Sequence, residues 1–272
     1  METFARDVIS AATARAVAAM FDRDPDMMTN GAELPALWHW FHFVPVVRRS
    51  ERGEDGHPRR GAFMPTISLP RRMWAGGRLW FRQSLCIGEQ AERRSEVISV
   101  EEKQGRTGAL VFVTVRHVIT AANGIALEEE QDLVYREAPR PDEPRRSTTA
   151  PQQTAEWTEA FQPDSVILFQ FSALTLNGHR IHYDLPYATQ VEGYPALVVH
   201  GPLIALLLLD AALRRTGRTP ATYSYRAVGP LYNEETFTIA GRATGEDTCE
   251  MWALDRNGML GMKARVEWRA LR

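Results

Sequence analysis

The stretch that begins at His200 constrains the fold more than any other part of the chain. It reads HGPLIALLLLDAALRRTG, with an apolar run over residues 203–209 behind Gly201 and Pro202. Pro202 suits the first turn of a helix, where its missing N–H costs nothing, and Gly217 suits the left-handed residue that ends one. The apolar run is far shorter than the roughly 20 residues a membrane-spanning helix needs. A helix apolar on nearly every side must therefore be buried on nearly every side. One helix wrapped by a curved antiparallel sheet meets that demand, and the rest of the chain offers the strands.

The β-prone runs fall into two groups. Residues 79–85, 91–100, 109–121 and 126–135 form the first, and 165–172, 223–227, 235–243, 248–255 and 261–269 the second. Gly-Arg-Thr-Gly at 105–108 and Asn-Gly at 123–124 and 257–258 separate runs within each group, and Asn-Gly is a strong hairpin signal. Residues 10–21 carry apolar side chains at helical spacing. The aromatic block WHWFHFVP follows at 38–45, and Trp38, Trp40, Phe41 and Phe43 are expected in the core or between domains. A loop rich in glycine and charge covers 48–60. Residues 138–156 are rich in proline and poor in large apolar side chains, which marks a linker. The expected organisation is an N-terminal domain over 1–137, the linker over 138–156, and a C-terminal domain over 157–272. Two tandem units, each a curved antiparallel sheet around a helix, make an α+β fold.

Charge excludes some partners. Lys and Arg number 32 against 34 Asp and Glu, for a net charge of −2. No overall field favours nucleic acid or an anionic membrane, so a bound anion needs local arginines. Cys86 and Cys249 form no Cys-x-x-Cys pair, and no histidine cluster has zinc-ligand spacing, so neither a disulfide framework nor a metal is expected. Together with an N-terminal stretch that lacks the apolar region of a signal peptide, this points to a cytoplasmic chain. The run Glu128, Glu129 and Glu130 is expected on a solvated face.

The chemistry concentrates in residues 171–205, FSALTLNGHRIHYDLPYATQVEGYPALVVHGPLIA. Asn177, His179, Arg180, His182, Tyr183 and Asp184 lie here, with His200-Gly201 leading into the helix. This segment resembles the overhanging catalytic segment of the MaoC-like, or R-specific type 2, enoyl-CoA hydratases. In those enzymes an Asp, and a His five residues later, activate water. Asn177 and His182 have that spacing, with Asn where the family has Asp. His182-Tyr183-Asp184-x-x-Tyr187-Ala188 and His200-Gly201 match as well. In the first half, LWHWFHFVP, PRRMWAGGRLWF and LVFVTVRHVI followed by EEEQDLVYRE are similar to the hydroxyacyl-thioester dehydratase type 2 relatives. The similarity is to the subgroup with mesaconyl-C4-CoA (3-methylfumaryl-CoA) and itaconyl-CoA hydratases, and it covers most of 35–272.

The resemblance implies a double hotdog fold and a hydro-lyase that adds water to a short carboxylated enoyl-CoA, yielding citramalyl-CoA in itaconate degradation. It implies no cofactor, coenzyme A being part of the substrate. The partner is an acyl-CoA thioester, with no nucleic acid or membrane, and a homodimer is open to the chain. Within that reading His182 is the acid/base residue, since imidazole is the side chain best suited to proton transfer near neutrality. Asn177 cannot take a proton; it orients water, donates to the thioester oxygen or fixes the His tautomer, and Asp184 is a candidate helper. Gly201 would present its N–H to an oxyanion with the helix dipole behind it, and His179 lines the same segment. Arg180, and Arg71 and Arg72 beside the Trp74-Ala75-Gly76-Gly77 turn, are candidates for binding CoA phosphates or an acyl carboxylate. Two alternatives stand beside this reading. One is a fatty-acid-type 3-hydroxyacyl-thioester dehydratase, which needs a long apolar tunnel and no carboxylate-binding Arg. The other is a non-catalytic hotdog that binds acyl-CoA.

Overall fold

The computed structural model describes residues 2–59, 61, 63–105, 108–137 and 154–270. All but the last three residues of the expected linker lie outside these, as do the middle two of the Gly-Arg-Thr-Gly turn. The first half contributes β1 (Glu2–Val8), α1 (Ala11–Met20), β2 (Arg71–Phe81), β3 (Gln90–Gly105), β4 (Gly108–Ala121) and β5 (Gly124–Arg136). The second contributes β6 (Trp157–Phe161), α2 (Ser165–Thr175), α3 (Gly201–Thr216), β7 (Pro220–Ala227), β8 (Phe237–Gly245), β9 (Thr248–Leu254) and β10 (Leu260–Trp268). The described strands form one antiparallel sheet in the order β1-β3-β4-β5-β2-β7-β10-β9-β8-β6, five strands from each half.

Helix α3 is the apolar helix the sequence demands. Leu203 to Leu209, Ala211 and Ala212 are buried, and the helix packs on β8, β9 and β10 and on the central strands β2 and β7. Tyr223 on β7 donates its hydroxyl to the Ala205 carbonyl at 2.6 Å, deep in the core. The helix ends at Gly217, whose φ of +63° is the left-handed cap that favours glycine. Helix α1 is shorter, starts at a Ser10 cap, and buries Ala14, Val17 and Ala18 against α2 and the turn Trp38–Phe41. Trp38, Phe41 and Phe43 are core residues, as expected.

The halves meet along β2 and β7, where Gly76 pairs with Arg226 and Gly77 with Tyr225. Residues 74–77 are therefore a strand and not the turn read from the sequence. A register shift between Trp74 and Gly76 bulges the strand at Ala75. A Cβ on Gly76 would come within 2.6 Å of the Tyr225 carbonyl oxygen, and one on Gly77 within 2.7 Å of the Glu130 carbonyl oxygen. The glycines serve close approach of backbones, not reversal of the chain.

Residues 165–172, expected as a strand, lie in helix α2. Asp164 caps it by accepting from the Ile167 N–H at 2.8 Å, and Leu168, Phe171 and Ser172 form its buried face. That spacing is helical, and a short apolar run reads equally well either way. The edge strands β1 and β6 escaped notice because neither buries a continuous face. No helix among the described residues is long and apolar enough to cross a membrane.

Candidate active site

After α2 the chain turns sharply through Leu176, whose φ is +47°. Asn177 then makes a short local turn: its Oδ1 accepts from the His179 N–H at 3.1 Å, and its own N–H donates to the Ser172 carbonyl. A single 3-10 turn, Arg180–His182, follows and carries His182 into the interior. There its Nδ1 lies 2.7 Å from the Val198 carbonyl oxygen. A carbonyl only accepts, so Nδ1 bears the proton and Nε2 keeps its lone pair. Burial, opposed by the Val198 bond and helped by the nearby His57, lowers the His182 pKa to about 4. The ring is neutral at physiological pH, which is the form a general base needs.

His182 is one of a row of imidazoles. His200 stacks on it with ring centres 3.7 Å apart and planes 19° apart. The His200 Nε2 meets the Ser172 hydroxyl at 2.8 Å, while its buried Nδ1 has no hydrogen-bond partner among the described residues. On the other side His179 approaches His182 edge-on at 5.5 Å, and His57 lies 4.3 Å from His179. Burial lowers the pKa of His179 and of His200, and in each case neighbouring imidazoles lower it further.

His57 and its partner Asp55 come from the first half, on the loop that the sequence marked only by glycine and charge. Asp55 binds the His57 ring at 3.2 Å and its N–H at 3.0 Å, and the Asp55 carbonyl accepts from the Arg180 N–H. Burial alone would raise the Asp55 pKa, but the hydrogen bonds and charge of His57 hold it well below the usual carboxylate range. Gly56 between them has φ of +88°, and its Cα abuts Gly178, so glycine is needed for the loop to seat on the catalytic segment. One donor atom each from Asp55, His57 and His179 lies within 4.8 Å of the others, a donor set of the kind divalent transition metals accept.

Gly201 opens α3, and no side chain caps that helix. Trp74 lies against it so closely that a Cβ would come within 3.0 Å of the indole. Trp74 is itself held by Tyr225, 4.7 Å away, and edge-on by Trp40 at 5.4 Å. Between the halves lies a cavity of about 160 Å³, lined by Asn177, Phe171 and Pro202 on one side and Trp40, Trp74, Arg93 and Glu129 on the other.

The expected solvated face at Glu128 to Glu130 is corrected at Glu130, which is buried, and above all at Glu129, which is 2% exposed. Glu129 accepts from His39 Nε2 at 3.0 Å, from Trp40 Nε1 at 2.9 Å and from Gln131 Nε2 at 2.9 Å. Burial pushes its pKa up, but these donors, His39 foremost, outweigh it and bring the value to about 2. Strand β5 is covered on both faces: Glu129 meets the turn Trp38–Phe41, while Glu130 binds Arg78 and Arg116.

The arginines read from the sequence are mostly engaged. Arg71 pairs with Glu192 at 2.6 Å, and Arg180 with Asp184 at 2.7 Å while lying over the Tyr187 ring. Arg72 is near enough to His179 to lower its pKa. Asp184 uses one oxygen on Arg180 and the other on the Tyr187 N–H, so its contacts are those of a cap and an ion-pair partner. Asn177 and Trp74 meet at the cavity, Gly201 adjoins them, and His179 and His200 flank His182.

These features define a two-unit hotdog protein with a histidine site on the segment overhanging the central helix. The family model of hydroxyacyl-thioester dehydratase type 2 matches residues 37–233. The chain is 42% identical over 261 residues to mesaconyl-C(4)-CoA hydratase of Chloroflexus aurantiacus, covering 96% of this chain and 93% of that one. It is 25% identical over 250 residues to the mitochondrial hydroxyacyl-thioester dehydratase type 2 of Schizosaccharomyces pombe, covering 80% and 82%. A MaoC-like dehydratase from Phytophthora capsici matches in structure with a TM-score of 0.71 at 12% identity, covering 100% of this chain and 96% of that one. The chain belongs to the hydroxyacyl-thioester dehydratase type 2 family, and its fold is the double hotdog.

Proposed function

We propose that the protein is an acyl-CoA hydratase that adds water to a short carboxylated enoyl-CoA, mesaconyl-C4-CoA or itaconyl-CoA, to give citramalyl-CoA. The observation that carries the reaction type is the state of His182: buried, neutral, anchored through Nδ1 and, among the described residues, without a hydrogen-bond partner at Nε2. Its lone pair takes a proton from water that Asn177 helps to orient. As the oxygen bonds to the β carbon, charge moves to the thioester oxygen, where the Gly201 N–H and the dipole of α3 offset it. The proton held by His182 then passes to the α carbon, so the base is regenerated within one turnover. The reaction is redox-neutral, and the reading includes no cofactor beyond the coenzyme A of the substrate. The identity to the Chloroflexus enzyme supports the acyl group. The same reading puts the enzyme in itaconate degradation in the cytoplasm and leaves a homodimer open to it.

Purified protein supplied with mesaconyl-C4-CoA, itaconyl-CoA or crotonyl-CoA tests this, with product followed chromatographically. Citramalyl-CoA is expected from a carboxylated substrate at a higher kcat/KM than crotonyl-CoA supports. Preference for crotonyl-CoA would favour the fatty-acid-type dehydratase. Binding without turnover of any of the three would favour the non-catalytic protein.

A further inference from the structure

Arg93, on β3, makes no ion pair among the described residues. It lines the cavity from the wall opposite Asn177. Its Nε is buried without a hydrogen-bond partner, and its guanidinium lies over the Phe43 ring at 5.5 Å. Two carboxylates, Glu129 and Asp7, are close enough to support its charge. Both are committed elsewhere. Glu129 serves His39, Trp40 and Gln131, and Asp7 accepts from the Phe43 and Val8 N–H groups at 2.8 Å each. Arginine keeps its charge in proteins, so a half-buried guanidinium with an idle donor favours an incoming anion. Burial lowers the Arg93 pKa, which reports its desolvation. Arg71 and Arg180, by contrast, already hold Glu192 and Asp184.

We propose that Arg93 is the receptor for the free carboxylate of the acyl group, which makes the cavity a site for enoyl thioesters charged at the far end of the double bond. The proposal rests on the hydratase reading. A guanidinium binds a planar carboxylate through parallel N–H donors, so it fixes orientation as well as charge. In a 3-methylfumaryl thioester that carboxylate sits on the carbon that water attacks. Its negative charge repels the incoming oxygen as the oxygen loses its proton. Arg93 offsets that repulsion, so the residue acts on kcat as well as on KM. Arg93 touches substrate without moving a proton: it sets which acyl groups react.

The test is the ratio of kcat/KM for mesaconyl-C4-CoA over crotonyl-CoA in wild type, Arg93→Gln and Arg93→Lys. The Gln variant is expected to lower the ratio about 30-fold or more, the effect of truncating one partner of a buried charge pair. Lys, which keeps the charge without the fork, recovers part of it. A fall of both substrates together, with the ratio changed less than threefold, would overturn the proposal. A second measurement needs no variant. The primary amide of mesaconyl-C4-CoA is nearly isosteric but neutral, and calorimetry with wild-type protein is expected to find it at least about 30-fold weaker than the acid. Equal binding would overturn the subsite even if the variants fail to fold. A wild type that binds the acid over the amide but hydrates neither would sink the hydratase reading and leave the subsite standing.

Discussion

The two halves of the molecule solve the problem of buried polar groups in opposite ways. In the second half, between Asn177 and the start of α3, imidazoles are packed against one another, and burial depresses the pKa values of His179, His182 and His200. On the wall of the first half, Glu129 stays ionised because three donors converge on it. A neutral imidazole with one nitrogen free can accept and return a proton at little cost. A carboxylate saturated by donors cannot, but it holds its neighbours in place. On the proposed function, the difference separates a segment that moves protons from a wall that sets shape and charge.

His182→Ala is the severest test of that division. Turnover is expected to fall by about 10²–10⁴, the usual worth of general acid/base catalysis. Stability is expected to fall by only about 1–2 kcal/mol, from loss of the Val198 hydrogen bond and the stack on His200. Retention of more than a third of wild-type kcat would break the comparison at its catalytic end.

Glu129→Ala should show the reverse emphasis. It leaves His39, Trp40 and Gln131 without their shared acceptor, and breaking a buried pair of this kind costs about 3–5 kcal/mol. Chemical denaturation reads that loss. A variant as stable as wild type would mean that Glu129 is not the fixed point of its wall.

The smallest effect, and the one that sharpens the contrast most, lies on the pH axis. The His182 pKa is about 4 in the folded protein against 6.5 for a free imidazole, so the unfolded chain binds more protons between those values. Its contribution is intact above about pH 6.5 and is lost as pH falls toward 4. Glu129, near 2 against 4.5, contributes above about pH 4.5 and loses that contribution as pH falls toward 2. Melting temperatures from pH 7 to 3 should therefore fall in two windows. His182→Ala should make the upper one shallower, since His179 and His200 also contribute to it, and spare the lower. The same depressed pKa places the acid limb of kcat/KM near pH 4; a limb near 6.5 would contradict a neutral, desolvated base.

What the sequence disclosed follows the range over which each signal acts. Helix α3 was legible from Pro202, Gly217 and the leucines between them, and the hairpins from Asn123-Gly124 and Asn257-Gly258, because those cues are local. Asn177 and His182 were legible because one short segment contains both. Glu129 and Arg93 were not. Glu129 is buried by His39, 90 residues away, and nothing beside it in the chain announces that contact. Asp55 and His57 left a faint signal, an Asp-Gly-His in a charged loop, whose meaning depends on Gly56 seating against Gly178. Helix α2 failed for a different reason: eight apolar-rich residues carry too few turns to separate one period from the other.

The seam between β2 and β7 has a consequence for behaviour on dilution. When two separate hotdog chains pair, their shared edge forms only as fast and as fully as concentration allows, and the cavity between them disappears when they part. Here both edges belong to one polypeptide. The partner strand is always present at the effective concentration set by the tether, whatever the amount of enzyme in solution. The joint lined by Gly76 and Gly77 thus closes by a first-order step, and a site whose walls come from different halves stays assembled in a nanomolar assay as in a concentrated one.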